Sequence, residues 1–157
     1  MALQTPSIRV PRERMAQVDA IAKKRGLSYA DLIGFWIERE IAEGTISGDV
    51  PGVTVRREAD QIVIEMGDIT RSLSREVASA FAGDIRGVSD LARRMAKSLG
   101  GLAPNGVAKS TAEALGGLEV KKRGRGVKLI DSQTGAERTV SPSVAEDIAR
   151  LIEKAAT

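Results

Sequence analysis

The chain has 157 residues, 42% of them hydrophobic, enough for one ordinary domain or two small ones. It contains no Cys and no His, which excludes disulfides, thiolate nucleophiles, zinc–thiolate sites and an imidazole base or metal ligand. The net charge of +3, from 24 basic and 21 acidic residues, permits nucleic-acid binding but is too mild to argue for it, so local arrangement has to carry that question. Carboxylates, lysines and hydroxyls are what remains for catalysis, and no grouping of them stands out. A chain that is not an enzyme, with neither cofactor nor metal, is therefore expected. No run approaches the ~20 apolar residues of a bilayer span, and the first residues lack the apolar core of a secretory signal, so the expected location is cytoplasmic.

The first forty-seven residues read as strand, helix, tight turn, helix. TPSIRVP alternates, with Ile8 and Val10 on one face and Thr5, Ser7 and Arg9 on the other. Pro11 stops the strand and suits a first helical turn. From Arg12 to Arg25, Met15, Val18, Ile21 and Ala22 fall at helical spacing, and Lys23, Lys24 and Arg25 complement the dipole of the last turn. Gly26 ends this helix, and Ser28 caps the next, with Asp31 placed for a capping box. The second helix, to about Glu43, is expected to bury Leu32, Ile33, Trp36, Ile37 and Ile41. A unit this small has a marginal core, and its lone strand leaves backbone groups unpaired; two chains pairing their strands would cure both defects. A dimer is the physical expectation.

The stretch SIRVPRERMAQVDAIAKKRGLSYADLIGFWIEREI resembles the ribbon-helix-helix family of Arc, MetJ and CopG-type repressors over residues 4–44. The fold class this implies is α+β, with a dimeric N-terminal β-ribbon and its helices followed by the repeated unit described next. In that family the paired strands lie in the major groove and alternate residues read base edges. Carried onto this chain, the resemblance makes Thr5, Ser7 and Arg9 the readers of double-stranded DNA, with Ser28 and Tyr29 offering backbone N–H groups to a phosphate. Two positions depart from the family pattern: Pro6 on the inward side of the strand, and Gly34 inside the second helix.

After a linker at 46–52, the chain repeats itself. At an offset of 65, Val53, Val55, Ile62 and Ile64 fall on Leu118, Val120, Val127 and Leu129. At an offset of 67, Arg71, Ser74, Val77, Ala78, Ala82 and Ile85 fall on identical residue types. Each copy, 53–99 and 118–157, reads as a β-hairpin, with room for a third short strand, followed by a helix capped by Ser74 or Ser141. The first helix carries an apolar seam from Val77 to Leu99, in which Gly83 and Gly87 could kink the helix and Ser89 could restart it. Residues 100–117 form a Gly-bracketed linker.

The second hairpin tip gathers Lys121, Lys122, Arg123, Arg125 and Lys128 with no acid among them, whereas the first tip is mixed in sign. Its Arg-Gly-Arg core resembles the centre of an AT-hook, without the proline that normally follows. Such a tip suits phosphates or a minor groove, an acidic protein, or simple turn geometry. Two functions follow. One is a sequence-specific DNA-binding protein: a dimeric transcriptional repressor, or a plasmid partition or mobilisation factor. The other is an antitoxin-like or inhibitory factor in which the first module only dimerises, or assembles further, and the C-terminal repeat binds a protein partner. Glu146 and Asp147, neighbours on a helix, point apart and make no catalytic pair.

Overall fold

The computed structural model describes residues 7–97 and 114–157. Two helices come first, α1 (Arg12–Arg25) and α2 (Tyr29–Ala42). Strands β1 (Val53–Glu58), β2 (Gln61–Met66) and β3 (Ile69–Ser74) lead into α3 (Arg75–Lys97). Strands β4 (Leu118–Arg123), β5 (Gly126–Asp131) and β6 (Glu137–Val140) lead into α4 (Pro142–Ala156).

The architecture is α+β, but the expected N-terminal ribbon-helix-helix is overturned: two helices precede the first sheet, and residues 7–11 form no strand. The physical reason lies in the sheets. Among the described residues all six strands lie in two three-stranded antiparallel sheets, ordered β1-β2-β3 and β4-β5-β6, and residues 7–11 pair with neither, so no ribbon forms there. Thr5, one of the expected base readers, lies outside the described residues, as does most of the 100–117 linker.

The helical pair also departs from expectation in its packing. Only Ala22 and Leu32 are buried in it, while Ile21, Ile33, Trp36 and Ile37 are exposed. Ser28 caps α2 through its hydroxyl, which accepts from the Asp31 amide at 3.1 Å and donates to the Asp31 carboxylate at 2.7 Å.

Each hairpin carries the third short strand as a three-stranded meander; three of the four turns have two residues, in registers Glu58↔Gln61, Met66↔Ile69 and Arg123↔Gly126, and the β5–β6 turn takes residues 132–136. Alternation fills the inner faces: Val53, Ile62, Ile64, Met66, Ile69 and Leu73 in the first sheet; Leu118, Val120, Val127 and Leu129 in the second. Ala78, Ala82 and Ile85 of α3 are buried, as are Ala145, Ala149 and Ile152 of α4, 67 positions further on. α3 runs unbroken through Gly83 and Gly87, and nothing stands within 4 Å of the side-chain positions they leave open. Ser89 is not a cap but a mid-helix residue, its hydroxyl donating to the Ile85 carbonyl at 2.8 Å.

The helices exchange sheets. α3 packs chiefly on β4 and β5, α4 packs on β1 and β2, and the two helices make the most extensive contact of any pair of elements. Side chains from both units form one continuous core. No residue separates β3 from α3, and only Ser141 separates β6 from α4. A helix leaving a strand so abruptly has no loop with which to fold back over its own sheet, and it covers the facing one instead.

Candidate nucleic-acid interface

Ion pairing of the basic residues differs along the chain. Eight of those from residue 53 onward sit in ion pairs, among them Arg71 with Asp131 and Arg86 with Glu153. Residues 7–26 carry Arg9, Arg12, Arg14, Lys23, Lys24 and Arg25 against only Glu13 and Asp19. Among the described residues none of these six cations forms an ion pair. Arg14 donates to the Gln17 side chain at 2.9 Å, and the Arg25 guanidinium lies 4.4 Å from the centre of the Phe35 ring. Arg9, exposed and ahead of the first helix, is joined there by exposed Ser7.

The basic hairpin tip is less basic in space than in sequence. Lys121 stands directly across from Lys128 in the β4–β5 register, a destabilising arrangement of like charges if left alone. Acids on the same face answer it: Glu119 pairs with Lys121, and Glu137 of β6 pairs with both Lys128 and Arg123. The Glu137 carboxyl is held below its ordinary range, first by the Lys128 hydrogen bond. Lys122 and Arg125 remain without an ion-pair partner among the described residues. The glycines of the tip serve geometry: Gly124 has φ +58, and a side chain at Gly126 would begin 3.0 Å from the Val140 carbonyl oxygen.

The structure brings the tip and the helical pair together. A cleft of about 1270 Å³ is lined on one side by the end of α1 and the start of α2, including Lys23, Ser28 and Tyr29. Its other side is made by Arg125 and Gly126 of the hairpin tip and by Thr139 and Ser141 ahead of α4. Ser28, Tyr29 and Arg125, three of the expected site residues, thus share one concavity. Ser7 and Arg9 are not among its lining residues, nor are Lys121, Lys122, Arg123 and Lys128.

Two cations of the cleft were not singled out as site residues. Lys23 had its signal in the run Lys-Lys-Arg, which reads first as a helix-dipole pattern. Arg93 of α3 had no local signal, because only tertiary structure sets it between Asp31 of α2 and Glu146 of α4. Burial pushes the Glu146 carboxyl above its ordinary range, against the opposing pull of Arg93. Asp147 is raised by burial as well and pairs with Arg150, so the two neighbouring acids face different partners.

Among the described residues, no helix is long and apolar enough to cross a membrane. No protein-family model, curated protein or solved structure matches the chain.

Proposed function

We propose that the chain is a DNA-binding protein, of the kind that serves as a repressor or a plasmid partition or mobilisation factor, and that it works as a homodimer. The carrying observation is the basic charge of residues 7–26, whose six cations have no ion-pair partner among the described residues, whereas Arg56, Arg71, Arg86, Arg93, Arg123 and Arg150 each have one. Unpaired surface cations grouped on one segment are what releases counterions from a phosphate backbone. Arg125 and Lys122 extend the same charge onto the second sheet.

A second copy is the occupant that best suits the apolar surface. All nine exposed large hydrophobic residues lie between Ile8 and Ile46, with none beyond among the described residues. Side chains of this size, each about half exposed, offer several hundred Å², approaching the ~800 Å² per partner of a standard interface. Pairing such a surface with its own copy gives a two-fold dimer.

The same apolar concentration also favours a different protein as the occupant, and this is the second reading. Fluorescence anisotropy on duplex fragments from the protein's own locus, across a salt series, separates the two. Binding that weakens steeply with salt, and that Arg9→Ala reduces, supports the DNA reading. Binding indifferent to salt and to Arg9 refutes it and leaves the protein-partner reading.

A further inference from the structure

We infer that the cleft between the α1–α2 turn and the β4–β5 tip seats a backbone phosphate of the bound nucleic acid, held from two sides by Lys23 and Arg125. This deepens the DNA-binding reading and rests on it. The two cations come from elements a hundred residues apart in the chain, yet both line the same cleft. Neither has an ion-pair partner among the described residues.

The acids of the cleft pair with neither of them. Asp19 accepts a hydrogen bond from the Tyr29 hydroxyl. Asp31 accepts from the Ser28 hydroxyl at 2.7 Å and faces Arg93 at 3.5 Å. Arg93 in turn shares its charge with Glu146. Asp31 is thus paired with Arg93, whereas Asp19 keeps its charge, so the lining holds three cations against two acids, and Lys23 and Arg125 are the two cations without an ion-pair partner among the described residues. An anion entering there meets two cations that need shed no protein partner to receive it.

The cleft is open and has room for more than a single phosphate. At about 1270 Å³ it is wider than one phosphate needs, and it takes a phosphodiester together with its flanking sugars. The walls belong to the helical pair on one side and to the second sheet on the other. One backbone phosphate there would tie the two modules to the same nucleic acid, which gives the second repeat its own share of binding. Such a contact positions the protein on its target and carries no sequence information.

The test uses the full chain and a short duplex, with Lys23→Ala, Arg125→Ala and the double variant measured across a salt series. Lys154→Ala is the control: it removes the same charge at the far end of α4, roughly 20 Å along the helix from Ser141. With one phosphate shared between them, each cleft variant is expected to weaken binding uniformly across sequences, and the double variant to lower the slope of log affinity against log salt by about one. Lys154→Ala should leave the slope in place. A wild-type protein that binds with a steep slope, and a double variant that keeps it, would overturn the cleft assignment while leaving the DNA reading intact. A wild-type protein that does not bind duplex at all removes both. The third arm is a mononucleotide titration followed by the backbone amide signals of Lys23, Arg125 and Gly126. Saturation there at lower concentration than the duplex requires would overturn the phosphodiester assignment in favour of a small phosphate ligand.

Discussion

Gly34 of α2 sits so close to Ser143 of α4 that a β-carbon placed on it would lie 2.5 Å from the Ser143 β-carbon and 2.8 Å from its hydroxyl oxygen. A glycine inside a helix costs roughly 1 kcal/mol relative to alanine, so on sequence alone it reads as a defect. Here it lets the helical pair dock on the body where Ser143 is buried. The prediction is that Gly34→Ala destabilises the protein by roughly 1–2 kcal/mol, because overpacking of ~1–3 kcal/mol exceeds the gain in helix propensity. Adding Ser143→Gly should recover part of that loss. Urea denaturation of the single and double variants measures the coupling, and strict additivity would refute the contact.

The Arg71–Asp131 pair joins β3 of the first unit to β5 of the second, and the Asp131 side chain has no exposed surface. Burial by itself would raise the Asp131 carboxyl. The Arg71 hydrogen bond and the amides of Gln133 and Thr134 outweigh it and bring the group below its ordinary value. Its contribution to stability is therefore complete above an unfolded value of about 3.9 and is lost as pH falls through the lower folded value. Arg71→Met should cost about 3 kcal/mol at neutral pH by leaving the carboxylate uncompensated. It should also reduce the acid-side loss, since burial is then opposed only by the Gln133 and Thr134 hydrogen bonds. Thermal melts from pH 2.5 to 7 show both effects; a variant melting in parallel with wild type would refute the pairing.

Trp36 is the chain's one tryptophan and stands 38% exposed on the unpartnered face of α2. If a second copy covers that face, emission should shift to the red on dilution through the dissociation constant. Trp36→Glu should sediment as a monomer with its β-sheet circular dichroism unchanged. An emission maximum independent of concentration, with a monomeric wild type, would exclude the dimer.

Ala59 holds φ +53 at the tip of the first hairpin, the place that Gly124 takes in the second at φ +58. The left-handed conformation costs a non-glycine residue roughly 1–2 kcal/mol, partly offset by the greater freedom glycine loses on folding. Ala59→Gly should accordingly stabilise by about 0.5–1 kcal/mol, read as a higher denaturation midpoint with an unchanged slope. A lower midpoint would show that the turn does not hold that conformation in solution.

Much of this protein is written in local pattern. Ser28, Ser74 and Ser141 mark helix starts, alternation at Val53/Val55 and Leu118/Val120 marks strands, and the offsets of 65 and 67 mark two units with the same order of elements. These features are legible because caps and strand alternation act over a few residues, within one segment of chain. Tertiary structure decided the rest. It exchanged α3 and α4 between the sheets, left Ile33, Trp36 and Ile37 exposed, placed Glu137 beside the basic tip, and set Arg125 across a cleft from Lys23. Hydrophobic periodicity says that a face is apolar but not what covers it, and a charge run says nothing of the acids that a neighbouring strand will bring against it.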